Sequence, residues 1–549
     1  MPRNFDAPGG KHAPTHRVVH AKNGMVAAAH PQAVQIGLDL LKEGGTAVDA
    51  AIGVNAALGF LEPTSCGVGG DLFAILWDAN SGRLHGLNGS GRAPAALTAG
   101  SVPAEDDGTI PLHSPYAWSV PGAVDGWFVL HDRFGKLPMA SILAPSIAAA
   151  ETGRPVPKVI AAEWKRSVKI FGEKPGFAEV FLLDGKAPDE GQIFRNPALA
   201  GTYRQLATAG RAAFYDGEIA RAIVAFSEAQ GGFFSIEDLT RHSSDWVEPQ
   251  STSYRGVDLF ELPPNGQGIA ALEMLNILEG FDLRSMGRES ANFWHLMIEA
   301  KKLAYEDRAR FYADPEFAEV PTGNLISKAY GRTQAKRIDM NRAAERLEPG
   351  DPGMARGDTT YLAVADRDGN MVSLIQSNYT GFGSGYVLPQ WGFGIQNRGA
   401  LFNLYPESPN HLKPGKRPFH TIIPAFAMKD GQPWLAFGVM GGDMQPQGHV
   451  QILVNMLDLD MNLQEAGDAA RFYHTDSSEP TGTLMTAGGV LHLESEVPDE
   501  IRQDLSRRGH RLGPGVDSYG GYQAVARDPQ SGVLSGATES RKDGCARGY

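Results

Sequence analysis

The spacing of apolar positions changes along this chain, and the change divides it. Pro31 to Glu43 (PQAVQIGLDLLKE) carries apolar residues at helical spacing behind an early proline, with Gly44-Gly45 as the stop. This predicts a helix over 31–43, and a second follows at once over 46–58. The short apolar run 24–29 predicts a buried strand, and Leu72–Trp77 with Leu84–Leu87, joined by DANSG, predicts a hairpin. From 120 to 350 the helical period dominates, with helices expected over 122–134, 139–151, 269–278 and 291–313. The stretch HLMIEAKKLAYEDRARFYAD in the last of these spaces its charges like an amphipathic helix. Beyond Thr359 the pattern turns to short strand-like runs between Gly/Pro turns, interrupted by one apolar helix over 448–457. Strand runs joined to helical blocks predict an α/β (α+β) layered sandwich, helices outside and antiparallel sheets inside.

Composition narrows the function. The 549 residues are 42% hydrophobic and 21% charged, ordinary for a globular protein with a large core. A net charge of −13 and no basic run argue against nucleic acid or an acidic membrane surface as partner. Cys66 and Cys545 alone make neither a disulfide framework nor a zinc site. The His residues include no HExxH or HxH pair, so neither a catalytic metal nor another cofactor is expected. No apolar leader and no apolar run of membrane-spanning length is visible, so a cytoplasmic enzyme is expected. GVGGDLF lacks the Lys-Ser/Thr of a phosphate loop. Glu62 and Asp71, which flank that loop, read as solvated loop carboxylates.

The informative stretch is RGDTTYLAVADRDGNMVSL, Arg356 to Leu374. It places Thr359 and Thr360 at the head of a strand-like run, behind the polar segment GDPGMARGD. Thr favours strands, and strand pairing alone accounts for the two residues. A chemical reading adds more. A threonine hydroxyl is a weak nucleophile until a base takes its proton, and its own α-amine can be that base. That amine is free only if the Asp358–Thr359 bond is cut. Thr359 Oγ could itself make the cut, attacking the Asp358 carbonyl to give an ester that water then releases. The resulting α-amine, with a reference pKa of roughly 7.7–8.0, is usable as a base near neutral pH. Thr360 could orient the first hydroxyl from the next position.

DTTYLAVADRDGNMVS resembles the processing site of the γ-glutamyltransferases, a family of N-terminal-nucleophile hydrolases. Gly24–Gly70 resembles the opening strand, helix pair and glycine loop of that family; GSGRAP (89–94), GKRPFHTIIPAF, VMGGDMQPQG and the tail DGCARGY follow in family order. The resemblance spans nearly the whole chain. It implies a four-layer αββα sandwich, with the chain cut into a large subunit, 1–358, and a small subunit, 359–549, that remain partners. It makes Asp358 and Thr359 the cleavage pair, Ser377 a hydrogen-bond partner of the nucleophile, and Gly441 and Gly442 the oxyanion hole. Two backbone amides approaching closely suit that last role. Arg92 takes the place of the arginine that grips the substrate carboxylate, a role suited to a planar guanidinium.

Departures from the family pattern fall in the substrate pocket. Tyr379 stands where an asparagine holds the substrate's α-substituents. Arg398 and Leu401 stand where a Glu and an Asp bind the α-ammonium, and His420-Thr421 replaces a serine pair at the α-carboxylate. A cation and an apolar group in place of two carboxylates should weaken or reverse the preference for a charged amine. The expected substrate is a small-molecule amide, γ-glutamyl or glutaryl-like, resembling the branch of the class IV cephalosporin acylases. Transfer to an amine is an accompanying expectation. The alternatives are an amidase for another small carboxylate-bearing amide, such as oxamate, or an inactive relative that binds without turnover. A higher oligomer is compatible with all of these.

Overall fold

The computed structural model describes residues 17–347 and 358–549, apart from 104, 106, 107, 517 and 518. Residues 350–357 of the polar segment ahead of Thr359 lie outside the described residues. Two seven-stranded sheets form the centre. In spatial order the first contains Cys545–Gly548, Met25–Ala28, Asp358–Ala365, Met371–Tyr379, Asp71–Asp78, Arg83–Gly89 and Asp245–Val247. The second contains Val19–Ala21, Leu534–Thr538, Gly521–Arg527, Gln432–Met440, Ala425–Lys429, Val257–Glu261 and Gln250–Tyr254. All pairings in both sheets are antiparallel. Each sheet contains strands from both before and after Thr359, so a cut there would leave two pieces that share both sheets.

Three cores define four layers. Met25, Phe73, Tyr361, Ile375, Phe426 and Val525 interdigitate between the sheets. Leu362, Val364 and Leu374 face the other way, against the helices Pro31–Lys42 and Ala47–Leu61. Leu435 and Phe437, on the outer face of the second sheet, pack on Ile269–Leu278, Ala291–Phe311 and Met444–Leu457. Alternation along the strand Asp358–Ala365 produces this directly: Tyr361 points inward and Leu362 outward. The αββα sandwich expected from the sequence is the observed fold.

The first two helices start where local chemistry dictates. His30 caps Pro31–Lys42, whose proline sits in the first turn. Thr46 and Asp49 form a capping box on Ala47–Leu61, which is buried all round. Two expectations need correction. The helix Ala291–Phe311 is not amphipathic: Glu299, Lys301, Lys302, Glu306 and Arg308 are buried with the apolar residues. Lys302 pairs with Glu299 and Arg308 with Asp443 and Glu479, while Lys301 donates to the His474 carbonyl and Glu306 accepts from Ser478 Oγ, which is why helical spacing of charge imitated a wet face. The helix expected over 448–457 begins earlier, at Met444; Pro446 is tolerated in its first turn. No helix among the described residues is long and apolar enough to cross a membrane.

Candidate active site

Thr359 is the second residue of its strand and only 2% exposed. From Thr360 to Ala365 the strand pairs one-to-one with Gln376 back to Met371, but Asp358 faces Tyr379. The partner strand therefore carries one extra residue beside Thr359, a bulge of the kind that re-aims a side chain. Ser377 is the residue re-aimed: its Oγ lies 3.4 Å from Thr359 Oγ1 and accepts the Tyr379 N–H at 2.8 Å. On the other side, Gln445 Nε2 lies 3.5 Å from Thr359 Oγ1. Thr360 points to the helical face and donates to Glu62 Oε2 at 2.8 Å, so any influence it has on the Thr359 hydroxyl passes through the backbone.

The structure corrects the reading of Glu62 and Asp71 as solvated loop carboxylates. Both are fully buried, because the glycine loop between them turns inward. A Cβ on Gly70 would stand 2.4 Å from the Ser377 carbonyl and one on Gly69 1.9 Å from that of Gly394, so glycine is what lets the loop cross beneath Ser377. Glu62 accepts from Thr360 and from Ser65 Oγ at 3.2 Å; burial pushes its carboxyl up to about 7, against the opposing pull of Lys542. Asp71 accepts the amides of Gly91 (3.0 Å) and Gly122 (3.2 Å), Gln396 Nε2 (2.8 Å) and His420 Nε2 (3.0 Å). Burial also raises it to about 7, although the Arg398 charge pulls the other way. His420 is held neutral, well below its ordinary value, by burial and by the cations Arg398 and Arg417. Its Nε2–H is therefore a donor that ties the 420–421 segment to the start of the Asp71 strand.

Arg398, in the short turn Arg398–Leu401, is fully buried. Its Nη1 donates to Thr421 Oγ1 at 2.7 Å, and its guanidinium lies 4.6 Å from the centre of the Tyr379 ring. Nε and Nη2 have no hydrogen-bond partner among the described residues. Burial brings its pKa down to about 10. Tyr379 itself has φ 84°, a conformation that costs a tyrosine about 1–3 kcal/mol and that the asparagine of the family pattern adopts more easily. Its hydroxyl is buried and unpartnered. Arg398, Tyr379, His420 and Thr421 are thus brought together. Arg92 is not part of that group: its guanidinium is engaged by Glu316 at 2.7 Å and the Gly415 carbonyl at 3.2 Å, with Asp314 and Asp245 just beyond.

Gly441 and Gly442 end the strand Gln432–Met440 with φ 121° and 57°. The first value excludes ordinary side chains, so the backbone turn requires glycine there. Gln267 braces the turn, donating to the carbonyls of Gly442 (3.0 Å) and Thr421 (2.7 Å). Arg308 in turn donates to Gln267 at 2.5 Å and Asp443 at 2.8 Å. Gln267, Arg308 and Gln445 were invisible as site residues in the sequence; only Gln445, three residues past the glycine pair, lay within a suspicious motif. Among the described residues, His295, Glu299 and His510 bring three potential metal ligands within 4.8 Å of one another. That donor set is already spent: the imidazoles hydrogen-bond each other at 2.8 Å, and Glu299 pairs with Lys302 at 2.8 Å.

A buried hydroxyl at a strand head, with Ser377 Oγ and the Gln445 carboxamide beside it, is an arrangement that acyl transfer could use. The family model for gamma-glutamyltranspeptidase matches residues 33–549. The chain belongs to the gamma-glutamyltranspeptidase family. It is accordingly a hydrolase and acyltransferase of the N-terminal-nucleophile class, made as a zymogen. Among gamma-glutamyltranspeptidase relatives, the glutathione hydrolase-like YwrD proenzyme of Bacillus subtilis (strain 168) is 34% identical over 95% of this chain and 98% of its own length. The acylase ACY 1 proenzyme of Pseudomonas sp. (strain SE83) is also 34% identical, over 95% of this chain and 92% of its own. The crystal structure of cephalosporin acylase from Bacillus halodurans superimposes with a TM-score of 0.89 at 42% identity, covering 99% of both chains.

Proposed function

We propose that Thr359 is the nucleophile, freed by a cut after Asp358 into pieces 1–358 and 359–549, and that the enzyme hydrolyses amides whose acyl group ends in a carboxylate. The observation that carries the substrate reading is Arg398: a fully buried guanidinium with Nε and Nη2 unpartnered and no carboxylate within ion-pair distance among the described residues. Burying such a group unpaired is costly, and a substrate carboxylate bound through both N–H groups would offset that cost. The Tyr379 hydroxyl supplies a further donor.

The same surroundings argue against an α-ammonium. The carboxylates whose charges act on Arg398 and Tyr379 are Asp71, Asp443 and Glu479. Asp71 already serves four donors, and Asp443 and Glu479 both pair with Arg308. Leu401 offers nothing to a cation. A glutaryl-like acyl group therefore fits better than a γ-glutamyl one.

In the mature enzyme the Thr359 amine takes the proton from Oγ1 as the oxygen attacks the acyl carbon. Gly441 and Gly442 amides receive the oxyanion, and the proton passes to the leaving amine as the C–N bond breaks. Water, or a second amine, then attacks the Thr359 ester. Initial rates on glutaryl-p-nitroanilide and γ-glutamyl-p-nitroanilide test the acyl preference; a large excess for the γ-glutamyl compound refutes it. Thr359→Ala should stay a single full-length band on a denaturing gel and be inactive, whereas wild type gives two bands. An uncut wild-type chain that still turns over substrate would refute the nucleophile assignment.

A further inference from the structure

The Gln445 carboxamide is held at both ends. Gln445 is the second residue of the helix Met444–Leu457 and is fully buried. Its Oε1 accepts the Ile423 N–H at 2.9 Å, which settles which end of the amide is which. The NH2 group must then face Thr359, and Nε2 lies 3.5 Å from Oγ1. A threonine hydroxyl donates one hydrogen and accepts at two lone pairs. A donor fixed on one lone pair confines the hydroxyl hydrogen to the remaining directions. In this chain the other neighbour is Ser377 Oγ, at 3.4 Å.

We propose that Gln445 is a catalytic residue for this nucleophile: its clamped carboxamide donates to Thr359 Oγ1, turns the hydroxyl hydrogen toward the base, and stabilises the oxygen whenever it carries charge. The proposal rests on Thr359 being the nucleophile. When Oγ1 attacks, its proton goes to the Thr359 amine and the new C–O bond forms; Gln445 gives up no proton and remains a donor. When water cleaves the ester, Oγ1 departs with the electron pair of the C–O bond, and the same N–H supports it until the proton returns from the amine. Both half-reactions, and self-cleavage before them, are therefore helped by one group. The present separation is long, as hydrogen bonds at reacting atoms often are before substrate binds. None of the roles assigned to Gly441 and Gly442 is duplicated, because their amides address the acyl oxygen rather than the nucleophile.

Two variants separate this role from packing. Gln445→Met keeps the volume and removes the donor. With fully cut enzyme and glutaryl-p-nitroanilide, kcat should fall roughly ten- to a hundredfold while KM stays within about twofold. Precursor processing should slow alongside. Gln445→Glu keeps an acceptor for Ile423 N–H, so it preserves the anchor even if the Met variant folds poorly. It places a carboxylate beside the Thr359 amine, which favours the ammonium form. The rising limb of its kcat–pH profile should therefore shift to higher pH. A Met variant with native melting behaviour and wild-type kcat overturns the proposal, as does an unmoved pH midpoint in the Glu variant. Thr359→Ala serves as the reference: activity there sinks the nucleophile assignment itself, whereas wild-type-like Gln445 variants beside an inactive Thr359→Ala sink only the role of Gln445.

Discussion

Replacing Arg398 by methionine removes the guanidinium while nearly preserving the length of the side chain. In the wild type Nε and Nη2 are the unpartnered donors, and Nη1 is spent on Thr421. A substrate carboxylate would gain two charge-assisted hydrogen bonds, each worth about 1.5–3 kcal/mol. Allowing for the substrate's own desolvation, about 3–4 kcal/mol of transition-state binding is lost in the variant, or roughly 200- to 1000-fold in kcat/KM. Stability should respond differently. The variant forfeits the bond to Thr421, about 1 kcal/mol, and the contact with the Tyr379 ring, about 1–2 kcal/mol. Against that, an unpaired buried cation is gone, and the two effects roughly cancel. The assay compares glutaryl-p-nitroanilide with neutral valeryl-p-nitroanilide, alongside a thermal melt. The large loss should appear only with the glutaryl compound, with a melting midpoint close to wild type. Arg398→Lys should recover little, since an ammonium lacks the planar fork. Equal losses on both substrates would refute the reasoning, because they would mean that Arg398 supports the site rather than reads the carboxylate.

Two further predictions come from the same surroundings. Glu62 is raised from an unfolded value near 4.5 to about 7, so the folded protein binds its proton more tightly than the unfolded chain. The resulting stability is present below pH 4.5 and is lost as pH rises to about 7; Glu62→Gln, which still accepts from Thr360, should be roughly 3 kcal/mol more stable than wild type at pH 8 and nearly equal at pH 4, as read by denaturant titration. Gly441→Ala should be more damaging than Gly442→Ala to both folding yield and kcat, because φ 121° is closed to alanine whereas φ 57° is only mildly unfavourable; equal effects on a gel and in a rate assay would count against the turn geometry as the reason for the glycines.

Much of the layered architecture was legible in one dimension. The helix pair behind Pro31 and Thr46, and the hairpin joined by DANSG, follow from period, caps and turn residues, all of which act over a few residues. The threonine pair and the double glycine stood out in the sequence as well, and the structure places the first at a strand head and gives both glycines positive φ, a conformation that calls for that residue type. Burial was not legible. Glu62 and Asp71 sit in a Gly-rich stretch that looks like any solvated loop, and only the packing of that loop against Ser377 and Gly394 removes them from water. The helix Ala291–Phe311 misled for the same reason: its paired charges meet partners more than a hundred residues away or one turn along, and spacing cannot tell a paired buried charge from a wet one. The sequence put Arg92 forward as the residue that grips the substrate carboxylate and Arg398 only as a departure in the substrate pocket. Tertiary structure gave one of them an acidic neighbourhood and left the other with empty donors. Gln445 needed the fold most, since its meaning lies in the direction of one amide, set by the Ile423 N–H on a segment brought beside it only when the second sheet and its helices pack.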